Sequence, residues 1–156
     1  MSFHIQPITL APFQPLFALD DDALAAIGAR RMVADKPHSA PCRVSLTDAA
    51  PGERLILLTH RHVDDAASPY RSEGAVFVRE AAAEADLDPG VVPDMLARRL
   101  LSARVYDADW MMTEAAVVEG RDLAGRLDGW FGRPDTAVVQ LHTAHRGCFL
   151  ATAARR

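Results

Sequence analysis

Near the C-terminus the chain reads LHTAHRGC, Leu141 to Cys148. Histidine and cysteine are the side chains that ligate zinc or iron and that move protons or attack carbon near neutral pH. Here His142, His145 and Cys148 fall within seven residues, beside Arg146. A second pair, His60 and His62 in the stretch HRH, alternates along a predicted strand, so both imidazoles project from one face. Cys42 is followed directly by Arg43, the pairing of thiol and guanidinium found in reactive thiols. Each of these has a plainer counterpart. The hairpin tip can be a solvated turn, HRH a polar strand end, and Cys42 a small buried side chain that anchors its loop. A zinc site needs three or four convergent ligands, and spacing alone brings no such set together. His60, His62, His142 and Cys148 therefore stand as metal candidates, with zinc the metal they would suit and no cofactor favoured.

A different chemistry comes from the arginines. Tyr70 and Arg71 lie between hydroxyls in SPYRS, and Arg43, Arg61, Arg79 and Arg146 are spread along the chain. Guanidinium groups bind carboxylate and phosphate with two parallel hydrogen bonds, so a convergent subset would make an anion pocket. The plainer alternative pairs each arginine with a nearby Asp or Glu on the surface. The candidate ligand-binding set is Cys42, Arg43, Tyr70, Arg71, His142, Arg146 and Cys148. Phosphate-loop, dinucleotide-turn and nucleophile-elbow signatures are all missing.

The elements that must position these residues can be read from periodicity. ERLILLTHRH, residues 53–62, is the clearest strand, and both of its faces begin apolar, which predicts a central place in a sheet. Further strands are expected at 3–10, 31–34, 75–80, 101–106, 114–119, 136–142 and 148–153. Pro7 marks the first as an edge. DDDALAAIGARR predicts a short helix with an acidic cap. Residues 121–131 predict the main helix, with Leu123, Leu127, Trp130 and Phe131 as one buried stripe ended by Gly132 and Pro134. Residues 35–52 and 64–74 read as polar loops, and 81–99 is ambiguous. The sum is an α+β fold in one domain spanning 1–156: a mostly antiparallel sheet with two or three packed helices. In the C-terminal hairpin, a five-residue loop would set His142 opposite Cys148 and Leu141 opposite Phe149.

Composition narrows the function classes. The chain has 156 residues, 49% hydrophobic and 24% charged, which is ordinary for a globular domain. Its net charge is −4 and its one lysine is Lys36, with no basic run carrying interleaved aromatics, so no nucleic-acid partner is expected. No stretch approaches the ~20 apolar residues of a membrane span, and the opening MSFHIQPITL, with no cationic segment before a long apolar run, is not expected to act as a secretory signal. A cytoplasmic protein with reduced Cys42 and Cys148 is expected, and no membrane partner.

The segments PCRVSL, PGERLILL, SPYRSEGAVFVRE and RGCFLA resemble the bacterial family known as domain of unknown function 1203. The resemblance runs from about Pro41 to the end. It implies a small, intracellular, stand-alone domain and carries no established activity, so it transfers no catalytic residue. Relatives carry cysteine where this chain has Ser45, a departure that weakens a metal role for the Cys42 loop. Three functions stay open: binding of a small anionic ligand through arginines and polar loops; a metal- or thiol-dependent enzyme using Cys42, His60, His62, His142 and Cys148; and a structural or interaction protein such as a homodimer. Binding is the leading expectation.

Overall fold

Apolar residues that return every second position build strands in this chain, and those that return every third or fourth build its one long helix. The computed structural model describes residues 3–156. The strands are Phe3–Gln6 (β1), Arg30–Val33 (β2), Arg54–Val63 (β3), Ser72–Arg79 (β4), Leu100–Tyr106 (β5), Met112–Glu119 (β6), Val138–Thr143 (β7) and Phe149–Arg155 (β8). The helices are Asp21–Ala26 (α1), Asp94–Ala97 (α2) and Leu123–Phe131 (α3), with 3-10 turns at Gln14–Ala18 and Gly120–Asp122. The fold is α+β, with antiparallel pairing between all neighbouring strands. Among the described residues no helix is long and apolar enough to cross a membrane.

The strands divide into two sheets rather than one. The larger has the order β1-β8-β7-β5-β6, and the smaller β2-β3-β4. β3 is central in its sheet, as its two apolar faces predict. The division falls where β4 and β5, consecutive in the chain, do not pair, and β1 joins the large sheet at its edge by pairing with β8 from the far end of the chain. One face of the large sheet carries Leu101, Ala103, Val105, Val139, Leu141, Ala151 and Ala153, packed against Leu123, Leu127, Trp130 and Phe131 of α3 and Met95 and Leu96 of α2. All four stripe residues of α3 are buried. Gly120 leads into that helix at a point where no side chain fits. A Cβ there would lie 1.9 Å from the Leu96 carbonyl oxygen. The Gly120 N–H donates to the Arg99 carbonyl at 2.8 Å, which ties α2 to the start of α3.

The stretch 35–52 is not the solvated loop its polar residues suggest. Cys42, Val44, Leu46 and Ala49 are all buried. The alternation Cys42, Val44, Leu46 was the sign of it. A parallel bridge joins Cys42 to Phe77 of β4, and Pro41 bridges Asp48. Leu46 holds φ at 51°, a left-handed conformation that a branched side chain adopts only where packing compels it. β1 stops at Gln6, one residue before Pro7. The ambiguous segment 81–99 yields only the single turn of α2, with Pro93 as its N-cap.

The C-terminal hairpin departs from the expected register. His142 pairs with Phe149, and Leu141 with Ala151, which leaves Leu150 as the extra residue of a β-bulge. Leu150 and Ala151 both enter the core under α3. Phe149 is turned to the opposite face, beside His142. Cys148 falls outside the ladder, in the connection that Gly147 closes at φ 74°.

Candidate functional site

The candidate residues collect in separate places. The first is an aromatic layer between the sheets. His62 stacks on Phe149, with centroids 5.3 Å apart and planes within 4°. His142 meets His62 edge-on at 4.9 Å and Phe149 at 5.7 Å. His60 lies between Phe13 at 6.3 Å and Phe149 at 5.9 Å. Three imidazoles therefore surround one phenyl ring. Strand alternation delivers His60 and His62 to one face of β3, as expected, and the bulge in β8 supplies the ring they pack on.

Hydrogen bonds fix two of these rings. The Gln140 amide donates to the His62 carbonyl at 2.6 Å, which points its own oxygen at His62 Nδ1, 2.8 Å away. His62 therefore carries its proton on Nδ1. His142 Nδ1 is 3.0 Å from the Gly147 carbonyl oxygen, so it too is the protonated nitrogen. His142 Nε2 is buried with no hydrogen-bond partner. Burial, helped by the positive charge of Arg104, lowers the His142 pKa to about 3. Burial likewise lowers His60 and His62 below the ordinary imidazole value. All three are neutral at pH 7, and they act as flat, partly polar packing groups. Among the described residues no group of three or more His, Cys, Asp or Glu is placed to hold a metal ion.

The second place is a cavity of about 440 Å³, lined by residues of the 38–43 segment, β3, β4 and the C-terminal hairpin. Arg43, Arg99, Arg146, Thr143 and Cys148 line it, with Leu57, Ala75 and Phe77 as an apolar wall. Thr143 accepts the Cys148 N–H at 3.1 Å through its hydroxyl oxygen, which leaves its own hydroxyl proton free to donate.

The three arginines differ in what already holds them. Arg99 grips Asp48 with two bonds of 3.0 and 2.5 Å and also donates to the carbonyls of Met95 and His38. That pair ties the 38–48 segment to α2, and its charge is neutralised. Arg43 is 2% exposed. Its Nε donates to the Phe149 carbonyl at 2.7 Å and its Nη1 to the Pro41 carbonyl at 2.5 Å. Among the described residues no carboxylate hydrogen-bonds it, and Asp48 acts on it only through space. Burial lowers its pKa to about 10, with the thiols of Cys148 and Cys42 acting the other way, so it remains a cation at neutral pH. Arg146 is exposed at the rim, with no hydrogen bond or ion pair among the described residues.

The remaining candidates lie elsewhere. The Cys42 thiol is buried and accepts the N–H groups of Ser45 and Arg79 at 3.5 and 3.4 Å. Its place in a small apolar cluster with Phe13, Val44 and Val78 is that of an anchor. Tyr70 stands edge-on to Tyr106 at 6.1 Å, and Arg71 pairs with Asp64 at 3.2 Å. Neither lines the cavity. Arg61 is held by Glu73 and Asp64, and Arg79 by Glu53. Of the arginines considered for an anion pocket, Arg43 and Arg146 are the two with no ion pair among the described residues. Sequence reasoning missed Arg99, Thr143 and the apolar wall. Arg99 carries no local motif, and Leu57 and Phe77 read only as ordinary strand residues.

The whole cavity except His38 falls within a segment that can be compared with known proteins. A family model described as "Protein of unknown function (DUF1203)" matches residues 39–155. No curated protein and no solved structure matches the chain. The match covers most of the chain and includes both sheets' central strands and the hairpin that carries Cys148. The chain belongs to the DUF1203 family.

Proposed function

We propose that this protein binds a small anionic ligand in the cavity, with Arg43 as the buried anchor and Arg146 as a clamp at the rim. The observation that carries the reading is the state of Arg43. Taking a guanidinium out of water costs several kcal/mol unless a counter-charge answers it. Here the hydrogen-bonding groups are two neutral carbonyls, Asp48 acts on it only through space and is already paired with Arg99, and Arg43 belongs to the cavity lining. An anion supplies the missing charge and gains a charge-assisted hydrogen bond in a poorly solvated place. Asp48 neutralises Arg99, so Arg43 and Arg146 leave the cavity positive in a chain whose net charge is −4. That contrast favours the approach of anions to this spot over the rest of the surface.

The test is titration of the purified protein and of Arg146→Ala with acetate, benzoate and inorganic phosphate, read by calorimetry. Arg146 is exposed, so its removal leaves the fold intact. Saturable binding of at least one of these anions, weakened about tenfold in the variant, is the expected result, since one charge-assisted bond is worth ~1.5 kcal/mol or more. No saturable binding, or equal affinity in both proteins, would sink the proposal.

A further inference from the structure

The lining of the cavity combines two kinds of surface, and the combination says what kind of anion it takes. It includes two guanidinium groups without a bonded carboxylate and the Thr143 hydroxyl, and with them Leu57, Ala75 and Phe77, which share one face of β3 and β4. Ala75 is exposed and Leu57 and Phe77 are half-buried, so this wall keeps apolar surface in contact with water. The other polar groups of the lining are already occupied. Ser39 donates to the Lys36 carbonyl at 2.8 Å, His38 is paired with Asp48 at 3.2 Å, and both terminal nitrogens of Arg99 are bonded to Asp48 and to backbone carbonyls. A sugar phosphate or nucleotide would bring hydroxyls or base edges to groups that are spent. Arg43 has one terminal nitrogen, Nη2, with no bond to the protein among the described residues, and Arg146 has its whole guanidinium. One head group reaching both would leave its body against the apolar wall.

We infer that the ligand is an amphiphilic monocarboxylate, with its carboxylate on Arg43 and Arg146 and a hydrocarbon body of moderate length against Leu57, Ala75 and Phe77. The inference rests on the anion-binding reading above and narrows it. A cavity of about 440 Å³ lies in the range of small-ligand sites and has room for a body of several carbons. Cys148 lies in the same lining and is half-exposed, so a bound ligand covers its thiol. Cys42, fully buried in the same chain, serves as an internal control.

The experiment is a chain-length series on the whole protein: acetate, butyrate, hexanoate and octanoate, with inorganic phosphate and 1-hexanol beside them. Each buried methylene is worth about fourfold in affinity. Affinity should rise by about that factor per methylene until the cavity is full, and hexanol should bind far more weakly than hexanoate. Hexanoate should also slow alkylation of Cys148 by iodoacetamide, read by peptide mass spectrometry, at the concentrations that saturate the calorimetric signal. Ala75→Asp, an exposed position in β4, should flatten the series by placing a hydrated charge on the wall. Equal affinity along the series, or phosphate tighter than hexanoate, overturns the carboxylate assignment and leaves the anion pocket standing. No saturable binding by any anion overturns both. Hexanoate binding without protection of Cys148 places the ligand elsewhere and overturns the assignment to this cavity.

Discussion

Lowering the pH from 7 to 5 should destabilise this protein through His142, and the size of the effect follows from its burial. In the unfolded chain His142 takes a proton near its ordinary value of 6.5, while in the native state it does so only near about 3. Below the unfolded value the unfolded chain binds the extra proton first, so stability falls as pH falls through the window from 6.5 toward 3 and is level above it. At pH 5 the difference amounts to about 1.5 pH units, or ~2 kcal/mol at ~1.4 kcal/mol per unit. His60 and His62, also lowered by burial, act in the same sense. The clean comparison is therefore a double difference with His142→Asn, whose amide nitrogen can still donate to the Gly147 carbonyl. Urea unfolding at pH 7 and pH 5 would be measured for both proteins. The wild type should lose about 2 kcal/mol more than the variant over that interval. Equal losses would show that the imidazole is protonated in the native state at pH 5, and that its Nε2 reaches water or a donor, contrary to its buried, unpartnered place.

Other perturbations have equally definite outcomes. Gly120→Ala should destabilise by about 3 kcal/mol or more, because its Cβ would overlap the Leu96 carbonyl, and thermal unfolding reads the change directly. Asp48→Asn should cost about 2–4 kcal/mol by leaving Arg99 without its carboxylate, with a fall in midpoint denaturant concentration as the readout. Leu127→Ala, at a fully buried position of α3, should cost about 2–5 kcal/mol by opening a cavity under the large sheet.

The elements of this fold were open to a sequence reader wherever the period of apolar residues was clean. Strand β3 and helix α3 are the two best cases, and both lie within two residues of where alternation and the stripe set them. What stayed hidden was non-local. No property of Phe3–Gln6 says that it pairs with the last strand, and none of β7 says that it enters between β8 and β5. The site shows the same split. Arg43 and Arg146 could be picked out as anion-binding types. That Arg61, Arg71 and Arg79 are held by carboxylates while these two are not depends on where distant Asp and Glu residues fall. The histidines were grouped correctly by strand face, but the group they join is centred on Phe149. A regular hairpin would have put that ring in the opposite layer.

The bulge at Leu150 also decides where the C-terminal hairpin can change length. Deleting Leu150 would leave His142 opposite Phe149 and Leu141 opposite Ala151 in an unbroken ladder, with every other residue on its present face. Deleting Thr152 instead would send the residues after it to the wrong side of the sheet, the core residue Ala153 outward and Ala154 inward. The hairpin therefore has a built-in joint where one residue can be gained or lost at the cost of a single side chain's packing. Copies of this domain that differ by one residue in this strand pair should carry the difference at that joint, with Cys148 still in the cavity and Phe149 still beneath the histidines.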